Sequence, residues 1–90
     1  MAVPSHVQYK SRGSIINHYG FAKAGDVLPM HNHPVDHDII LISGKAKLVT
    51  PHQGTHQLQR GQVVTVHAPH PHAILAEEDN THTIHTFHDK

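Results

Sequence analysis

The chain contains no cysteine. Disulfides, iron–sulfur clusters and thiolate catalysis are therefore excluded, and cysteine usage gives no reading of the redox compartment. Carboxylates are scarce, with seven Asp and Glu among 90 residues. Glu77, Glu78 and Asp79 share one apparent turn and Asp89 lies near the end, which leaves no glutamate beside the histidine-rich segments to act as a general base. The seven basic side chains (Lys10, Arg12, Lys23, Lys45, Lys47, Arg60 and Lys90) are scattered. They form no patch that would grip nucleic acid. The longest apolar run, IILI at 39–42, is far too short to cross a bilayer. The opening MAVPSHVQYKSRGS lacks the apolar centre of a secretory signal. A cytoplasmic protein with no membrane and no nucleic-acid partner is the expectation. No Ser-His-Asp arrangement, phosphate loop or dinucleotide fingerprint is visible.

No stretch of ten residues keeps a helical period. Short apolar or alternating segments recur instead, at about 15–23, 36–43, 45–50, 55–59, 62–67, 72–76 and 81–87. Between them stand AGD, SGK, PHQG, RG, APHP and EDN, each with a residue suited to a turn. Ser43-Gly44-Lys45 reads as a tight hairpin with Gly44 at positive φ. Short strands at regular spacing, with no helices between them, predict an all-β antiparallel sandwich or barrel in one domain spanning 1–90. Residues 1–13 form a candidate N-terminal arm that pairs with a neighbour. Alternation along 36–43 puts Ile39 and Leu41 on one face and Ile40 and Ile42 on the other. Both faces then need cover, and a homodimer is expected.

What the chain has in abundance is histidine: 13 residues. The stretch HNHPVDHD at 31–38 holds three of them. In an extended chain His31, His33 and His37 share parity and point one way, whereas Asp36 and Asp38 point the other. A second cluster, VHAPHPHAIL at 66–75, supplies His72, flanked by the rigid Pro69 and Pro71. Three histidines from one segment and a fourth from another make a candidate four-nitrogen cage. Neutral imidazole suits zinc, copper, iron and nickel, so the expected cofactor is one divalent transition ion per chain. Its identity (Zn, Fe, Ni or Cu) stays open.

At this point the sequence resembles the cupin superfamily. Gly25, His31, His33, His37 and Gly44 match the first cupin motif, G-x5-H-x-H-x3-E-x6-G, at every spacing, with His37 in place of the glutamate. Gly61 and His72 match the second motif, G-x5-P-x-G-x2-H-x3-N. His67 replaces its proline, Pro69 its second glycine and Ala76 its asparagine. The likeness covers residues 20–76 and implies a small β-barrel of the double-stranded β-helix, jelly-roll type. It implies His31, His33, His37 and His72 as metal ligands, four imidazoles where the usual site has three and a carboxylate.

The resemblance says less about the reaction, because one fold serves many chemistries. It implies a metal-dependent enzyme acting on a small, oxygen-rich, chelating substrate, either dioxygenase-like or cyclase- and isomerase-like. The alternative is a non-enzymatic barrel that binds a small ligand and carries a structural metal. His18 and His85 fall in strands that would wall the pocket, and each is a candidate substrate contact. His70, between two prolines, is a candidate entrance residue or proton shuttle, with a solvent-exposed structural role as the alternative. Tyr19 and Phe21 read as core or interface packing.

Overall fold

A computed structural model describes residues 2–51, 53–68 and 70–88, with residue 88 described through its backbone alone. Among these, nine strands follow in order: β1 (Ser5–Ser11), β2 (Ser14–Phe21), β3 (Val27–His31), β4 (His37–Ser43), β5 (Ala46–Thr50), β6 (Gly54–Gln57), β7 (Val63–Val66), β8 (His72–Ala76) and β9 (Thr81–His88). They form two sheets, one ordered β1-β2-β9-β4-β7 and the other β3-β8-β5-β6. All named strand pairs are antiparallel. From β2 to β5 the chain changes sheet at every step, and it does so again from β6 to β9. No helix among the described residues is long and apolar enough to cross a membrane.

Alternating burial shows why these segments are strands. Along β4, His37, Ile39 and Leu41 are buried and Ile42 is 49% exposed. Along β9, Thr81, Thr83 and His85 are buried. Their inner faces close on Phe21, Ile39, Leu41, Leu48, Val66 and Ile74, which form the centre of the core. Phe21 on β2 is fully buried, so the face of β2 carrying Asn17, Tyr19 and Phe21 points inward.

Three elements differ from the sequence reading. Residues 5–11 form β1, which pairs along its length with β2 of the same chain. The two-residue loop between them places Arg12 at φ 50° and Gly13 at φ 81°, both positive as a primed hairpin turn requires. Arginine there conceals the turn. β3 escapes notice because it contains Pro29, which is tolerated because β3 is the edge strand of its sheet. The turn at 43–45 joins strands of different sheets and is no hairpin. Both edges of β4 are already taken, by β7 and β9.

Gly44 turns this corner at φ +83° against the buried Thr81. A methyl group at Gly44 would lie 2.7 Å from the Thr81 Cα, and Thr81 is held by its hydroxyl, which donates to the Glu78 carbonyl (2.9 Å) and accepts from the Lys45 amide (3.2 Å). Gly44→Ala is therefore expected to cost about 2–4 kcal/mol, from left-handed backbone strain plus overpacking. Urea unfolding checks this, and a midpoint equal to that of the parent protein would contradict the packing described.

Candidate metal centre

Four imidazoles meet where the ends of β3, β4 and β8 come together. His31 closes β3 and His72 opens β8, and the two are partners across the sheet. The register slips between Leu28 and His31, so an extra residue is accommodated there. Without that bulge Met30 would stand opposite His72; with it, His31 does. Bulges re-aim side chains in this way beside functional sites. His33 lies on the connection to β4, which bends at Pro34 and Val35, and His37 opens β4 from the opposite sheet. The bend, rather than continued extension, returns His37 to the cluster.

Ring centroids are 4.3 Å apart for His31 and His72, 4.7 Å for His31 and His33, 4.9 Å for His33 and His37, and 4.8 Å for His37 and His72. His31, His33 and His72 each offer one nitrogen, and these three atoms lie within 4.8 Å of one another, a group that can hold a metal ion. His37 adjoins this group without being one of the three. The tautomers of two members are set by the backbone. His31 Nδ1–H donates to the Pro29 carbonyl at 2.7 Å, and His72 Nδ1–H donates to the His70 carbonyl at 3.0 Å. Each ring thus keeps its Nε2 lone pair free, the arrangement by which outer hydrogen bonds orient ligating histidines.

His72 Nε2 and both ring nitrogens of His37 are buried with no hydrogen-bond partner. Each such atom costs about 1–3 kcal/mol if left unpaired. A cation is the partner that a lone pair in this place can use, and the donor set fits a borderline-soft transition ion.

The two aspartates of the stretch face elsewhere. Asp36 accepts from the Ala68 amide at 2.7 Å and lies 3.3 Å from His67 Nδ1, while Asp38 accepts from the Thr65 hydroxyl at 2.7 Å. His85 is 1% exposed on the inner face of β9. Its Nε2 is 3.1 Å from the Thr83 hydroxyl, and its ring stacks 5.9 Å from His37 and meets Tyr19 edge-on. His18 stands on the outer face of its sheet, where its Nε2 is 3.0 Å from His82 Nδ1. His70 is exposed, and its carbonyl accepts from His72 Nδ1–H.

Phe87 completes the cluster's surroundings and carries no motif that marks it in the sequence. It pairs with His37 across the sheet, stacks on that ring at 4.5 Å and 14°, and meets His33 edge-on at 4.7 Å. Its parity with Thr81, Thr83 and His85 was the available signal. His6, on the exposed strand β1, stacks on Tyr19 at 4.6 Å, and its Nε2–H donates to Asn17 Oδ1 at 2.7 Å.

Burial favours the neutral form of His33, His37 and His72. The His33 pKa falls to about 4, first through burial and then through repulsion from protonated His31 and His72. His37 falls to about 3, again chiefly by burial, and then through His72, His33 and His31. Burial likewise lowers His72, and it takes His85 well below the usual histidine value. Above pH ~6.5 the folded and unfolded chains both carry these rings neutral. As pH falls below that, the unfolded chain takes up protons that the folded chain refuses, so stability falls with pH until the folded values are reached. Glu77, whose pKa is lowered first by its hydrogen bond from Gln57, loses its contribution only below its own usual value near 4.5. The interval from pH 6.5 to 5 therefore belongs to the histidines. The urea midpoint of chelator-treated protein is expected to drop between pH 7.5 and 5, and a flat profile would contradict the burial of neutral imidazoles.

No family model matches the chain, and no curated protein matches it. Solved structures do. An RmlC-like cupin protein from Desulfovibrio desulfuricans is similar at TM-score 0.78 and 23% identity, over 92% of this chain and 80% of that one. A cupin domain from Bordetella pertussis is similar at 0.75 and 20%, over 99% and 95%. A DMSP lyase from Ruegeria pomeroyi is similar at 0.81 and 17%, over 97% of this chain but 47% of the lyase. At these identities the likeness concerns the fold: the chain is an all-β protein of two antiparallel sheets with the cupin double-stranded β-helix architecture, and it carries a three-histidine group able to hold a metal.

Proposed function

We propose that the protein binds one divalent transition ion through His31, His33 and His72, with His37 as a fourth donor, and that it acts enzymatically on a small, oxygen-rich, chelating substrate. The observation that carries this reading is the orphaned Nε2 of His72, buried and aimed at two other imidazoles by a backbone hydrogen bond. A bound ion of this kind supplies Lewis acidity toward a carbonyl or enolate oxygen.

The chain's own residues do the rest. His31 and His33 are only half-buried, so the approach to the centre lies on their side. Phe87 covers His37 and one edge of His33 and keeps water from that flank. Asp36 and Asp38 face other partners, so neither is placed to take a proton from a substrate at the cluster. That task would fall to an imidazole outside the ligand set. That one similar structure is a lyase supports an enzymatic reading for this architecture, although the fold does not name the reaction.

A second reading has its own support. Phe87 and the fully buried His72 leave the inner side of the cluster filled. An ion there could act as a staple between the sheets, with no chemistry. A metal-loaded protein that binds no chelating diketone or phenol would favour the staple.

Elemental analysis of untagged protein is expected to give about one metal per chain. His33→Ala and His72→Ala should each abolish stoichiometric metal, and full occupancy in either variant would sink the assignment. His37→Glu should keep the ion while changing which metal is preferred. An unchanged preference would remove His37 from the ligand set.

The outer face of the five-stranded sheet exposes Val7, Tyr9, Ile42 and Val63, each about half accessible. We propose that a second copy of the chain covers this face. Light scattering should then give a dimer that Ile42→Glu converts to monomer, and a monomeric parent protein would refute it.

A further inference from the structure

The two sheets leave a gap between their edges, where β5 and β6 face β7. A groove of about 330 Å³ lies there. Its floor is apolar: Leu48 and Val66 are buried core residues, and Val64 packs against them. Among the described residues, its rim carries three imidazoles, His56, His67 and His70. His56 is paired with Leu48 across the β5–β6 ladder, so both side chains project to the groove side. His67 is held by Asp36, whose Oδ2 is 3.3 Å from Nδ1, which leaves Nε2 to point elsewhere. No lysine, arginine, aspartate or glutamate lines the groove among the described residues.

The groove also runs along the wall of the metal centre. Val66 is the cross-strand partner of His37, and Pro71 immediately precedes His72. Thr50, another lining residue, lies one step beyond the Val49–Ala73 pair, beside His72 on the neighbouring strand.

These features specify an occupant. An anion would find no fixed cation in the groove, and a charged group on the apolar floor would lose its hydration without compensation. A molecule with an uncharged apolar body fits the floor. Imidazoles both donate and accept, so hydroxyl or carbonyl oxygens fit the rim. We infer that this groove seats the body of the substrate, a small uncharged phenol or related hydroxylated or carbonyl-bearing molecule, with its oxygens read by His56, His67 and His70. This deepens the enzymatic reading above and rests on it for the reacting end of the molecule. The seat itself is independent of the ion.

The test is an amide NMR titration of zinc-loaded and chelator-treated protein with 4-ethylphenol, and with benzoate as the charged counterpart of similar size. Saturable shifts with 4-ethylphenol are expected at Val64, Val66, His56, His67 and His70 in both forms, and in the chelator-treated form benzoate should bind at least about tenfold more weakly because its carboxylate finds no cation. His56→Trp, at an exposed position, should fill the groove and weaken 4-ethylphenol by about tenfold or more. Should that variant lose its dispersed spectrum, His56→Lys serves instead: adding a cation should strengthen benzoate at least about fivefold while 4-ethylphenol changes little. Absence of saturable shifts, shifts confined to the outer face at Val7, Tyr9 and Ile42, or equal binding of the two probes would overturn the proposal. Failure of the metal reading looks different: zinc would not bind stoichiometrically, yet 4-ethylphenol would still shift the groove signals.

Discussion

A lone pair buried without a partner governs this structure. His72 is fully buried, its Nδ1–H is committed to the His70 carbonyl, and its Nε2 faces His31 and His33 with nothing to accept from. His37 adds two more unpartnered nitrogens from the opposite sheet. At about 1–3 kcal/mol per atom, the three together weigh heavily against the roughly 5–15 kcal/mol that a typical domain has in hand. Hydrophobic packing around them cannot satisfy a polar atom. A metal ion can satisfy the His72 lone pair and one nitrogen of His37, and the neutral state that burial imposes on these two rings is the state that ligates.

The fold is arranged around that constraint. His31 and His72 belong to the four-stranded sheet, His37 and Phe87 to the five-stranded one, and His33 to the connection between them. An ion held by this set ties both layers at one end. At the other end the corner at Gly44 packs against Thr81, and the core of Phe21, Ile39, Leu41 and Ile74 fills the space between. A chain of this length buries a modest share of its surface, roughly 60–65%, so a cross-layer ion is worth more here than it would be in a larger domain. The same layering leaves a gap at β5, β6 and β7, where floor and rim chemistry differ. The histidine cluster and the groove share a wall through Val66 and His37.

Much of this was legible from the residues. The motif spacings announced the architecture, and parity along 36–43 separated Ile39 and Leu41 from Ile40 and Ile42 and turned both aspartates away from the histidines. The rest was hidden for physical reasons. A bulge between Leu28 and His31 leaves no mark in an apolar pattern, yet it decides that His31, and not Met30, faces His72. Pro29 argued against a strand that exists because its edge is free. Arg12 masked a turn that glycine or asparagine would have declared. His18 and His85 both looked like pocket residues, but strand parity sends His18 outward to His82 and His85 inward to Thr83. That difference depends on which face of β2 meets the core, which Phe21 decides only once the sheets are stacked.

The most direct measurement of the central claim is a long-range proton–nitrogen NMR spectrum of the histidine side chains during zinc titration. It reports each imidazole's protonated and ligating nitrogen separately. The account predicts that one equivalent of zinc shifts Nε2 of His31 and His72 and one nitrogen of His33, with Nδ1 of His31 and His72 staying protonated throughout. A first equivalent taken up by His18 and His82 on the outer face, or by no defined set at all, would contradict it.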